Sequence, residues 1–129
     1  MKARRMGVAG LLCMGLALLT TPARASGATE TDRATLDKLL KAVEANDYDA
    51  FVAEGSDLFK AGMTKQMLEG VSNQLAPRMK KGYDCSYLGD LMQQGFHVLL
   101  WKLIFKDGGD DTLAKLALKD GKVAGFWLQ

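Results

Sequence analysis

The sequence predicts an α+β domain, with three N-terminal helices packed on a four-stranded antiparallel meander. Three observations carry this. From Leu36 to Leu75 the apolar residues recur at helical spacing. After Gly82 the period drops to two. Asp120-Gly121 then sits between two apolar runs, a strong signal for a two-residue hairpin.

The helices come first. Thr29 and Asp32 stand in a capping-box spacing, and Leu36, Leu39, Leu40 and Val43 follow on one helical face. Asn46-Asp47 ends this helix and caps a short second one carrying Tyr48, Phe51 and Val52, closed by Gly55. Residues 56–63 read as a connector. Thr64 caps a third helix with Met67, Leu68, Val71 and Leu75 on its apolar stripe, ended by Pro77 and Gly82. Strands are expected at Tyr83–Leu91, Phe96–Lys106, Asp111–Lys119 and Lys122–Leu128.

Turn lengths set an expected register. A two-residue turn at Asp120-Gly121 places Leu118 opposite Val123, Leu116 opposite Gly125 and Ala114 opposite Trp127. A four-residue loop at 107–110 places Trp101 opposite Leu116 and Leu99 opposite Leu118. One face then collects Leu99, Trp101, Leu103, Phe105, Ala114, Leu116, Leu118, Val123 and Trp127, and is expected to pack on the helices. The lysines at 102, 106, 115, 119 and 122 fall on the other face.

The first residues are expected to lie outside the domain. Lys2, Arg4 and Arg5 precede an uncharged apolar run from Met6 to Leu19, and Ala23-Arg24-Ala25 follows as a small-x-small cleavage pattern. This order is that of a secretory signal peptide over residues 1–25, with Ser26 the expected new N-terminus. The run is shorter than the roughly 20 apolar residues a membrane span needs. A lipid-modified Cys13 is disfavoured by the bulky Leu12 before it. The expected destination is outside the cytoplasm, periplasmic or secreted. Residues 26–30 are expected to be a flexible N-terminus and residues 31–129 a single domain.

Cleavage changes the charge. Removing 25 of 129 residues leaves 104, and losing Lys2, Arg4, Arg5 and Arg24 takes Lys+Arg from 17 to 13 against 15 Asp+Glu, a net charge of −2. The basic character therefore belongs to the precursor, and nucleic-acid binding is not expected, since it needs a clustered positive footprint. Arg78-Met79-Lys80-Lys81 reads as a solvated helix end. Cys85 becomes the one cysteine of the mature chain, so no internal disulfide can form. One His and one Cys fall short of a soft-metal ligand set, and no cofactor is expected. No membrane association is expected after cleavage.

The stretch GFHVLLWKLIFKDGGDDTLAKLALKDGKVAGFWLQ, with a strand ending DGK followed by V-x-G-F, is similar to the last strands of small secreted bacterial members of the nuclear transport factor 2-like superfamily. Over residues 31–129 the chain resembles that superfamily in its order of helix, short helix, helix and antiparallel sheet. The resemblance implies a cystatin-like cone, its sheet curved around the helices and enclosing an apolar pocket. The superfamily holds isomerases, dehydratases, cyclases and many non-catalytic domains, so the fold does not give the function.

Few residues carry chemistry. His97 is the one histidine, and a turn around Gln93-Gln94 sets Asp90 opposite it on the helix-facing side. Such a pair at a pocket mouth is the weak catalytic candidate, suited to general acid–base work of an isomerase or dehydratase type. A hairpin-end ion pair is the plainer reading, and no third polar group can be placed beside it from sequence. Asp107, Asp110 and Asp111 lack the alternating ligands of a calcium loop, so turn chemistry accounts for them. Leu99, Trp101, Leu116 and Trp127 are the expected pocket lining.

The other sheet face is too apolar for a solvated surface. It is expected to carry Tyr87, Phe96, Val98, Leu100, Ile104, Leu113, Ala117, Ala124, Phe126 and Leu128, and a homodimer built on it is expected, with a rim of lysines. Three functions follow as alternatives. They are a non-catalytic exported domain binding a small apolar ligand or a partner, a small pocket enzyme using His97 and Asp90, and a purely structural dimeric module.

Overall fold

Four helices precede four strands in the computed structural model of the chain, which describes residues 28–129. The expected signal peptide and its expected cleavage site lie outside the described residues. The helices are α1 (Glu30–Ala45), α2 (Tyr48–Val52), α3 (Asp57–Gly62) and α4 (Lys65–Lys80). The strands are β1 (Tyr83–Gln93), β2 (Phe96–Phe105), β3 (Thr112–Lys119) and β4 (Lys122–Leu128), forming one antiparallel sheet in the order β1-β2-β3-β4.

Side-chain caps explain where the helices begin. The Thr29 hydroxyl accepts from the Asp32 N–H at 3.1 Å, and the Thr29 N–H donates to the Asp32 carboxylate at 3.0 Å. Thr29 and Glu30 are thus part of a helix start, and not of the flexible stretch expected over 26–30. Leu36, Leu39, Leu40 and Val43 bury the predicted face of α1, and Asn46 ends it in the left-handed conformation at φ 54°. Asp47 caps α2.

The expected connector at 56–63 holds a further helix. Ser56 accepts from the Phe59 N–H at 3.2 Å and starts α3, which buries Phe59 against Phe51. One apolar anchor over a single turn leaves no periodic stripe for the sequence to reveal.

α4 also departs from expectation. It runs through Pro77, although proline lacks the helical N–H and clashes with the preceding turn. The final turn is held by Met79, which is 3 % exposed, and by Arg78, which reaches the β2–β3 loop. The helix stops at Gly82, whose φ of 105° suits glycine and whose N–H donates to the Met79 carbonyl at 2.9 Å. Leu68, Ser72, Ala76 and Met79 form its buried stripe, so Met67 and Val71 turn outward.

Turn chemistry sets the sheet. Gln94-Gly95 and Asp120-Gly121 both have two consecutive positive φ values, 51° and 85° in the first and 52° and 78° in the second. These are mirror-type turns that match strand twist. Between β2 and β3 the loop is longer than expected, so Leu103 pairs with Thr112, Trp101 with Ala114 and Leu99 with Leu116. A shift of two residues preserves which face each side chain occupies, so the core face of β2 and β3 stands as predicted.

Two β-bulges do change faces. In β1 the pairing passes from Tyr87↔Trp101 to Gly89↔Leu100, leaving Leu88 as the extra residue. In β4 it passes from Leu118↔Val123 to Ala117↔Gly125, leaving Ala124 as the extra residue. Beyond that second bulge every side chain is on the face opposite to the one expected. Phe126, expected outside, is 8 % exposed and packs on Phe51, and Leu128 follows it onto the helix side. Trp127, expected inside, is 47 % exposed on the outer face. The first bulge brings Tyr87 to the helix side, against Trp101 at 5.6 Å between ring centres.

The β4 bulge has a neighbour that explains its place. The Val123 N–H donates to the Glu54 carbonyl at 2.9 Å, and its carbonyl accepts from the Ser56 N–H at 2.8 Å. The α2–α3 connection thus pins the start of β4, and the strand re-aims one residue later.

Candidate functional site

The expected pocket wall is core. Leu99, Trp101 and Leu116 are 0, 1 and 0 % exposed and are packed among Leu36, Leu40, Leu68 and Leu103. Trp127 is on the other side of the sheet. Burying this much branched and aromatic surface is what holds helices to sheet.

An apolar space does lie between helices and sheet, but beside β4. It is a groove of about 260 Å³ lined by Val43, Phe51, Met63, Met67, Leu68 and Val71 from the helical side and by Phe126, Trp127, Leu128 and Gln129 from the strand. Each bounding element is placed by features already described. The cap at Thr64 starts α4 just after Met63, and the Tyr48 hydroxyl donates to the Met63 carbonyl at 2.7 Å, fixing the segment between α3 and α4. The bulge at Ala124 turns Phe126 and Leu128 toward the groove. Sequence reasoning missed the groove because it assigned α4 a stripe one residue off and gave β4 no bulge. The methionines were a usable signal, since flexible thioethers suit an adaptable apolar surface.

His97 and Asp90 meet. The His97 Nε2 lies 2.6 Å from an Asp90 oxygen, and with Asp90 ionised the ring nitrogen donates. The contact is diagonal, because the turn at Gln94-Gly95 pairs Asp90 with Leu99 and His97 with Met92. The bulge at Leu88 adds a third member, the Tyr87 phenol. Burial first, then the Asp90 charge and a hydrogen bond to that carboxylate, push the Tyr87 pKa up. Two donors thus converge on one carboxylate at the end of the β1–β2 hairpin. This arrangement orients the Asp90 carboxylate at the hairpin end, with Asp32 near enough to add to the Tyr87 shift.

Other polar clusters are structural. Arg78 donates to the Asp107 carboxylate at 2.7 and 3.3 Å and to the Asp110 carbonyl at 2.6 Å, and its guanidinium lies 4.0 Å from the Phe105 ring centre. It is a tether, and not the solvated helix end expected. The Arg78 hydrogen bond, then that of the Gly109 N–H, holds Asp107 below the ordinary carboxylate range. Among the described residues no group of three or more His, Cys, Asp or Glu could hold a metal ion. Cys85 is a half-buried free thiol, and burial pushes its pKa up, which lowers its thiolate fraction.

The outer face keeps Phe96, Val98, Leu100, Ile104, Leu113 and Ala117 from the expected interface and loses Tyr87, Phe126 and Leu128. It gains Trp127, and Lys102, Lys115, Lys119 and Lys122 stand among these residues, with no acidic side chain on the outer positions of β2, β3 or β4.

The sequence matches no protein-family model and no curated protein. Among solved structures it is similar to that of an uncharacterized cystatin fold protein from Novosphingobium aromaticivorans, at 14 % identity and a TM-score of 0.37, over 74 % of this chain and 95 % of that one.

Proposed function

We propose that this is an exported, non-catalytic binding domain that seats a small apolar ligand in the groove between α4 and β4. We also place it in the nuclear transport factor 2-like superfamily, with a cystatin-like cone. The order of helices followed by an antiparallel meander supports that placement, and the signal-like residues 1–25 support export.

One observation carries the binding role: a groove walled, among the described residues, by aliphatic, aromatic and thioether side chains and by Gln129. Its volume is just below the range of ligand sites, which run from about 300 to 1,000 Å³. The ligand is therefore compact, of the size of one or two rings or a short chain, and carries at most one hydrogen-bonding group for Gln129. The Tyr87–Asp90–His97 cluster lines no part of this groove, so the reading is of binding without turnover.

Native mass spectrometry of protein purified from its own host tests the reading. Wild type is expected to carry a bound mass that Val71→Glu lacks, since Val71 lines the groove and is 37 % exposed, so the change leaves the core alone. Unliganded wild type, with no saturable uptake of a neutral apolar probe, would contradict it.

A further inference from the structure

We infer that the outer face of the sheet carries a second binding site, which shares Trp127 with the α4–β4 groove, for a small aromatic carboxylate. The site is a cleft of about 400 Å³ lined by Gln93, Gln94, Phe96, Val98, Lys115, Ala117 and Trp127. The register gives it a floor and two walls. Leu91, Val98, Ala117 and Gly125 align across the strands, and Val98 and Ala117 at its centre are 3 and 6 % exposed. One wall is Gln93 and Phe96, and Lys119, next to the lining, holds its ammonium 5.2 Å from the Phe96 ring centre. The other is Lys115 and Trp127, again with 5.2 Å between ammonium and ring centre.

Gly125 shapes the floor. A side-chain carbon there would collide with the Trp127 ring, so glycine lets the indole lie over the strand beside the cleft. The result is a small-residue floor between two aromatic side chains, each with a cation over it. A flat apolar body fits between the rings.

Charge selects the occupant. Among the described residues no carboxylate lies within ion-pair distance of Lys115 or Lys119. Lys102 and Lys122 add to the same sign on this face, where the one acidic strand position is Asp84 of β1, opposite Ile104 and away from the cleft lining. A second copy packed face to face would set these lysines against their own counterparts, an arrangement that costs energy when desolvated. A small anion pairs with them and leaves its ring on Trp127. Gln93 and Gln94 supply amide donors at the cleft's end for a carboxylate oxygen.

The test compares 2-naphthoate with the uncharged 2-naphthamide by isothermal titration calorimetry, with circular dichroism to confirm folding. Naphthoate is expected to bind about tenfold more tightly than the amide, the scale of one charge-assisted contact. Trp127→Ala should abolish that binding, and Lys115→Gln and Lys119→Gln should each remove most of the preference, while Lys115→Arg keeps it. Val71→Glu, on the α4–β4 groove, should leave it unchanged, which separates this site from the groove. Equal affinity for the two compounds would overturn the inference. So would naphthoate binding that survives both lysine changes, binding lost in Val71→Glu, or a dimer in light scattering that Trp127→Ala dissociates.

Discussion

Single residues decide the polar clusters, and each makes a distinct forecast. Asp107 is held below its ordinary value of 3.8 by the Arg78 hydrogen bond, then by the Gly109 N–H. A depressed carboxylate contributes stability that is present above its unfolded pKa and is lost as pH falls through its folded pKa. Asp107→Asn should therefore lower the urea midpoint at pH 7, and the gap to wild type should close toward about pH 2. A gap that stays constant with pH would assign the effect to packing alone. At the other end of the sheet, Asp90→Ala leaves the Tyr87 and His97 donors without their common acceptor. The expected cost is about 1 kcal/mol in denaturant unfolding, the scale of a lost partner at a partly buried site. Asp90 and His97 were legible as a pair because both fall on the same face of the hairpin. Tyr87 was not, because nothing in Tyr83–Leu91 announces a bulge at Leu88.

At the scale of elements, the two hairpin turns could be read from the sequence and the two bulges could not. Asp120-Gly121 carries a turn preference of its own, whereas the extra residue at Ala124 depends on Glu54 and Ser56, some 70 residues away in the chain, gripping Val123. A register argument propagates outward from a turn, so one unseen bulge inverts everything beyond it, and Phe126, Trp127 and Leu128 all changed sides. α3 escaped notice for a similar reason, since its one anchor, Phe59, gains meaning only against Phe51. The bulged register is testable by a pair of substitutions. Phe126→Ala should cost about 3–5 kcal/mol, as a large aromatic removed from a core does, and Trp127→Ala well under half of that. The unbulged register demands the reverse ranking, so thermal unfolding of the two variants separates them.

Over the whole molecule, the sequence spoke clearly about architecture and poorly about sites. Helical period, strand period and turn residues lay in local pattern, and the α+β meander followed from them. The groove between α4 and β4 is a product of packing, of where the buried stripe of α4 came to lie and of which face Phe126 and Leu128 took. Export is a separate forecast at this scale: intact mass of extracellular or periplasmic protein should correspond to a chain beginning at Ser26, and a species retaining Met1 would contradict it. The binding role itself is most directly examined by methyl NMR during titration with neutral 1-naphthol. The methyl resonances of Met63 and Met67, which line the groove, should shift along one saturating curve, while Met92, 68 % exposed and not part of the groove lining, stays in place. No saturable shift at Met63 and Met67, or equal shifts at Met92, would contradict the account.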